Sequence, residues 1–372
     1  MLLSVSAAVV QACAVGGMMD PDAGTSDDAD VSMDTGSMMP MDGGTADSGG
    51  DAGVGNDAGA DAASEDSSIA DGGPIDMGAV VCDPIDSSAV GMWVFDHANI
   101  TDATARTALF DFSELHNVHT LYADVNGLIA EAVRAPADLV AFVSEAHARC
   151  ISVEFLFSDA RFIYPDDSVP GTVDRSDLFA NIDAVVAFAE ANPAAAPNGI
   201  HLYLRPYELD AEWSSDSAAI SSQFLDVIAE TQTRGDPFPL NVDIPFWYHT
   251  VQVARGDVSQ GLDRWIIDLV PTVTIMAFYD DPSYVVTYAA TALGYVSSSG
   301  KQAIVAVDVQ CLDPAPRVSF WEEGTDTLRN ALDYVHSAEA SESGFVGMAV
   351  RDYEHYRVLH TTGTAVPGCP DV

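Results

Sequence analysis

Residues able to do chemistry recur in this sequence at one kind of place, just past the end of a short apolar run. In chain order the run ends carry Asp96 and His97, Asp124 and Asn126, Glu154 and Asp159, and Arg205 with Tyr207 and Glu208. Asp243 with Trp247 and His249 come next, then Asp280, Asp308 with Gln310, and finally Arg351, Asp352 and Tyr353. Carboxyl pairs in unlike environments can act as general acid and base. Aromatic rings stack on apolar faces while charged groups bond hydroxyls. Together they suit a sugar. Glu154, Asp243 and Asp308 are the candidate catalytic carboxylates. Asp96, Tyr203, Arg205, Tyr207, Trp247, Asp280, Arg351 and Tyr353 are the candidate ligand-holding residues. His97, His201 and His249 lack HxH or HExxH spacing, so no metal site is expected. No G-x-S-x-G elbow supports a serine nucleophile, and no cofactor is implied.

The runs that must position these residues are Gly91–Asp96, Val118–Asp124, Ile151–Ser158, Gly199–Arg205, Leu240–Trp247, Thr272–Tyr279, Gln302–Val309 and Gly344–Arg351. Helical periodicity separates them: Ala103–Leu115, Ala137–Arg149, Asp177–Ala191, Ala218–Arg234, Leu262–Leu269, Tyr284–Tyr295 and Thr325–Ser337. Eight apolar strands alternating with helices is the pattern of an α/β protein, a (β/α)₈ TIM barrel. A doubly wound sheet would want a glycine-rich turn after its first strand, and Phe95-Asp96-His97-Ala98-Asn99 offers none. In a barrel the strand C-termini form the functional face, which is where these side chains fall.

Gly199–Trp213, reading GIHLYLRPYELDAEW, resembles the fourth strand of chitinase-type glycoside hydrolase barrels. Met276-Ala277-Phe278-Tyr279-Asp280 is similar to the family's sixth strand end, and GMAVRDYEHY (Gly347–Tyr356) to its last strand and aromatic exit. Asn241–Trp247 resembles a fifth-strand segment of secreted relatives. The resemblance implies a polysaccharide or oligosaccharide partner. It also implies an Asp and a proton-donating Glu on strand four, where this chain has Tyr203 and Arg205. A guanidinium stays protonated at any working pH and cannot donate as that Glu would. Three outcomes stay open: glycan binding without hydrolysis, hydrolysis by a relocated carboxylate pair, or a barrel kept for protein contact. By alternation Tyr203 and Arg205 share a face, and a buried Arg205 needs an anion; Glu154 on the neighbouring strand is the expected partner.

Around this domain, expected at 80–372, the chain is unusual. The 372 residues carry a formal charge of −43, with no Lys or Arg before Arg106 and one lysine, Lys301. Such acidity disfavours nucleic acid and anionic membrane faces as partners. Residues 18–79 are rich in Asp, Gly, Ala and Ser, repeat DAG three times and contain no aromatic residue. They are expected to be a disordered spacer. Met1–Gly17 is short and apolar and ends near Val10-Gln11-Ala12-Cys13, similar to a bacterial lipobox. Cys13 is then the lipidation candidate, and the expected setting is exported, on the cell surface or outer membrane, or secreted. The membrane would be met only through that anchor. Of the four other cysteines, Cys82 and Cys369 flank the barrel and are expected to pair. Cys150 and Cys311 fall at opposite barrel ends and are expected to stay unpaired.

Overall fold

The computed structural model describes residues 82, 87–132, 137–165, 172–312, 317–362 and 369. The signal-like segment with Cys13 and the 18–79 spacer lie outside the described residues. Among the described residues ten strands occur in chain order: β1 (Val90–Val94), β2 (Val118–Asp124), β3 (Ser152–Phe157), β4 (Gly199–Leu202), β5 (Leu240–Pro245), β6 (Gln252–Arg255), β7 (Val258–Gly261), β8 (Thr272–Met276), β9 (Gln302–Asp308) and β10 (Phe345–Arg351). Eight of them close into a parallel barrel in the order β1-β10-β9-β8-β5-β4-β3-β2, while β6 and β7 form a separate antiparallel hairpin. The (β/α)₈ fold expected from the apolar runs is the one observed.

Strand composition explains the closure. Both faces of a barrel strand are covered, one by the helices and one by the barrel's own interior. Accordingly β1, β4 and β5 are buried along their whole length. Alternate residues divide between the two sides. Met92, Val153, Phe155, Ile244, Val305 and Val350 join a large apolar layer beneath the helices. Trp93, Tyr122, Leu156, Tyr203, Met276, Ala306 and Ala349 form a smaller cluster inside the barrel. Gly91 also points inward, and a Cβ there would overlap the Tyr122 phenol. The missing side chain is what admits a tyrosine on the next strand.

The helices begin and end on local signals. Asp102 caps Ala103–Leu115 by accepting from the amides of Thr104 and Ala105. Asp281 caps Pro282–Ser299, with proline in the first turn, and Gly300 ends that helix at φ 69°. The expected Ala218 start lies inside a longer helix, Asp210–Arg234, interrupted at Asp216. There the Asp216 carboxylate accepts from the Ala219 amide and acts as an internal cap. Among the described residues no helix is long and apolar enough to cross a membrane.

Six strands stop one to three residues short of their apolar runs, β4 and β8 by the most. β4 ends at Leu202 because Arg205 takes a left-handed conformation, φ 45° and ψ 62°. β5 passes at Pro245 into the 3₁₀ turn Phe246–Thr250, and β8 ends at Met276. The β6–β7 hairpin was not expected. Its strands are four residues long and largely exposed, too short to show a period.

The cysteine expectation is corrected. Cys82 bonds Cys150 and Cys311 bonds Cys369, with Cα separations of 5.5 and 5.2 Å. Cys150 precedes β3 at the barrel's N-terminal face, while Cys311 follows β9 at its C-terminal face. Placing those two at opposite ends was sound. The error lay in assuming that the barrel domain's two ends meet each other; Cys82 and Cys369 are each tied to a different face. Disulfides persist in oxidising compartments and are rare in the cytosol. We expect non-reducing digestion to yield linked peptides for these two pairs and none for Cys82 with Cys369. Replacing Cys82 and Cys150 by Ser should cost about 4 kcal/mol in chemical denaturation, from the 68-residue separation they span.

Candidate active site at the barrel mouth

Inward-facing positions on β3, β4, β5 and β8 build a polar layer at mid-barrel. Glu154 comes from β3, His201 from β4, Asn241 and Asp243 from β5 and Thr274 from β8. His201 is fully buried and lies between the two acids, its Nδ1 2.9 Å from Glu154 Oε2 and its Nε2 2.9 Å from Asp243 Oδ1. The first contact is a directed hydrogen bond. The second is equally close but poorly aligned, so its value is mainly Coulombic. Asn241 Nδ2 donates to Glu154 at 3.2 Å, Thr274 Oγ1 donates to Asn241 at 3.1 Å, and Trp93 Nε1 donates to Asp243 at 3.2 Å. Tyr122 packs its ring 4.2 Å from the imidazole. Burial alone would lower the His201 pKa, but Asp243 and then Glu154 raise it to about 9. Burial also pushes Asp243 upward, against the pull of His201.

Tyr203, the next inward residue on this chain segment, lies above that layer and is 2% exposed. Its amide still bonds Phe157 O, but two residues on the left-handed turn swings Arg205 back over the ring. The Arg205 guanidinium lies 4.3 Å from the Tyr203 centroid, and that of Arg351 lies 5.3 Å from the same centroid. β4 and β10 are diametrically opposed in the barrel order. Two arginines therefore reach the same tyrosine from opposite walls. Arg205 pairs with Glu208, and Arg351 Nη1 donates to Asp308 Oδ2 at 3.1 Å. The expected Glu154–Arg205 pair is thus replaced by Glu154–His201 and Glu208–Arg205. Strand parity placed Glu154 correctly, but the turn after Leu204 carries Arg205 up and out of its reach. Burial pushes both Asp308 and Glu208 above the usual carboxylate range, partly opposed by the arginines.

A second acidic group lines the rim beyond β10. Asp352 accepts from His355 Nδ1 at 2.8 Å and from Gln310 Nε2 at 3.1 Å. Although burial would raise it, the His355 contacts hold Asp352 below the usual range. Glu354 Oε1 accepts from the Asp96 amide at 3.0 Å and from Asn99 Nδ2 at 3.1 Å, while its buried Oε2 has no hydrogen-bond partner among the described residues. Burial, then the Asp352 charge, raises the Glu354 pKa to about 7. Sequence reasoning missed Glu354 because it sits on a helix rather than at a strand end; the YEHY exit motif was the available signal.

The other expected site residues disperse. Asp96 is exposed and caps the turn at Ala98. Asp280 pairs with Arg317 at the rim. Tyr207 and Trp247 pack edge to face at 5.4 Å beside Trp213 and Tyr248, an aromatic wall past β4 and β5. Tyr353 is 3% exposed and packs on Phe112 of the first long helix, away from the mouth. Among the described residues no group of His, Cys, Asp or Glu is arranged to hold a metal ion.

No family model and no curated protein matches the chain. Similar solved structures include a putative α-L-fucosidase from Bacteroides thetaiotaomicron, 10% identical, with a TM-score of 0.44 over 78% of this chain and 96% of that one. The catalytic domain of a β-amylase from Paenibacillus polymyxa is 9% identical, with a TM-score of 0.45 over 76% and 96%. A putative deoxyribose-phosphate aldolase from Toxoplasma gondii is 9% identical, with a TM-score of 0.42 over 74% and 93%. Glycoside hydrolases and aldolases stand side by side at these values, so the likenesses decide nothing about chemistry.

Two expectations follow for stability. His201→Leu strands the buried Asp243 carboxylate and the partly buried Glu154 and should cost about 3 kcal/mol in urea unfolding. Because the folded-state His201 pKa is raised, its contribution is full below about pH 6.5 and is lost as pH rises through about 9. The gap between wild type and variant should narrow over that window, the neutral imidazole keeping one N–H for Glu154. Glu354 is also raised, from 4.5 to about 7, so it favours the fold at low pH and loses that effect as pH rises through about 7. Glu354→Gln should flatten the stability curve between those values while keeping an oxygen for the Asp96 amide.

Proposed function

We propose that this chain is an exported, glycoside-hydrolase-like barrel that binds a glycan at its mouth without hydrolysing it. The observation that carries this is the pairing of every expected catalytic carboxylate with a buried cation. Glu154 and Asp243 share His201, and Asp308 bonds Arg351. A glycosidase of either stereochemistry needs two carboxyls flanking the sugar bond, one of them able to deliver a proton. Glu154 and Asp243, held by His201 beneath Tyr203, and Asp308, held by Arg351, do neither. The rim still offers what a sugar needs for binding, namely the Tyr207–Trp247 aromatic wall beside the partly exposed Gln310. Two disulfides and the lipobox-like start support export, with residues 18–79 as a spacer and Cys13 as an anchor point.

A second function, hydrolysis by a relocated acid, has one observation in its favour. Glu354 combines a pKa near 7 with an unpartnered buried oxygen, the protonation state that a general acid requires. The test is reducing-end release from a polysaccharide panel by the full chain, beside Asp308→Asn, Glu154→Gln and Glu354→Gln. We expect retention on at least one insoluble glycan and no release. Release abolished by Glu354→Gln would make the protein an enzyme. Neither release nor retention would favour a protein-contact role.

A further inference from the structure

The floor of the mouth carries more donors than its described partners use. Arg205 and Arg351 come from opposite walls, lie over one tyrosine ring, and have side chains only 14% and 10% exposed. Each guanidinium offers five N–H groups in a planar fork. Each has one described ion-pair partner, Glu208 or Asp308, and each has a buried Nε with no hydrogen-bond acceptor among the described residues. A buried donor without an acceptor costs free energy, and two like charges brought over one ring repel. The shortage on this floor is therefore of acceptors, specifically of planar anionic ones that can meet a fork with two oxygens. The chain also holds Arg205 in a left-handed conformation that non-glycine residues rarely adopt. That conformation keeps its guanidinium over Tyr203 instead of continuing the strand.

We propose that the Arg205–Tyr203–Arg351 floor is a subsite for the carboxylate of an acidic sugar, a uronic-acid-type unit, within the bound glycan. The carboxylate would take N–H donors from both guanidinia, and the sugar ring would face the aromatic wall of Tyr207 and Trp247. Neutral sugars present hydroxyls, which are weaker acceptors for a guanidinium than a carboxylate is. The rest of the chain is strongly acidic, but in physiological salt that field decays over about 8 Å, so the local pair of arginines governs a group seated on them. The inference rests on the glycan-binding function above and names its substrate class.

The experiment is calorimetry of the full chain with oligogalacturonate and oligoglucuronate, each beside its methyl ester, and with a sulfated oligosaccharide. We expect one acid to bind about 10- to 100-fold tighter than its ester, as charge-assisted bonds replace neutral ones. Arg205→Gln should abolish that preference with its circular dichroism unchanged, and Arg205→Lys should recover only part of it. Arg351→Gln leaves buried Asp308 unpaired, so it is made together with Asp308→Asn, with the same loss expected. Equal binding of acid and ester, or a preference surviving in folded Arg205→Gln, overturns the subsite and leaves glycan binding standing. Tighter binding of the sulfated chain than of either uronide overturns the carboxylate assignment. If no glycan of any charge binds here or in the insoluble panel, the subsite and the glycan-binding function fall together.

Discussion

His201 between Glu154 and Asp243 is the contact on which the barrel interior depends. An enclosed barrel has no water to solvate an inward-facing acid, so each inward acid must find a cation or a donor within the ring. β3 and β5 each bring one acid, and β4 between them brings the only described group able to serve both. The imidazole is held by its Nδ1 bond, and the acids in turn fix what surrounds them. Trp93 is aimed by Asp243, Asn241 by Glu154, and Thr274 by Asn241. Four walls of the barrel are thereby registered to one side chain.

That layer sets the level of the mouth. The positions under it are occupied by the Glu154–His201–Asp243 triad, and the Tyr203 ring closes the interior above them, its centroid 6.3 Å from that of Trp93. A tyrosine at this depth changes the chemistry available over it. This chain presents a ring and two guanidinia, a cationic floor that cannot give up protons at any working pH. The remaining candidate acid, Glu354, lies off this floor, on the rim between the ends of β1 and β10.

The sequence made the fold legible because barrel strands buried on both sides read as continuous apolar runs, and Val118–Asp124 and Ala103–Leu115 were located to the residue. Period-two counting also showed that Glu154 and Tyr203 point inward. What it did not carry was the choice of partner. Glu154 has inward neighbours on both sides, and only the shear between β3 and β4, which sets Leu156 opposite His201, brings that imidazole within reach of it. The left-handed turn at Arg205 carries no glycine to announce it, so alternation was extended two residues too far. The disulfides failed for a related reason. Spacing located the four cysteines along the chain but not the barrel faces to which the segments bearing Cys82 and Cys369 return.

Basic residues are scarce in this chain. The chain has only 14 of them against 57 acids, yet two arginines are spent on a nearly dry floor, where a guanidinium is costly to bury. A solvated acidic surface and a desolvated basic floor act over different distances. The surface field would slow the approach of a polyanion, an effect that salt screens beyond about 8 Å. The floor acts after contact, where exclusion of water strengthens each bond and salt reaches least. An acidic glycan bound here would therefore arrive slowly and leave slowly, with its arrival quickened by salt. A neutral glycan would feel neither effect, so the sign of the salt dependence of the association rate separates the two ligand classes without reference to affinity.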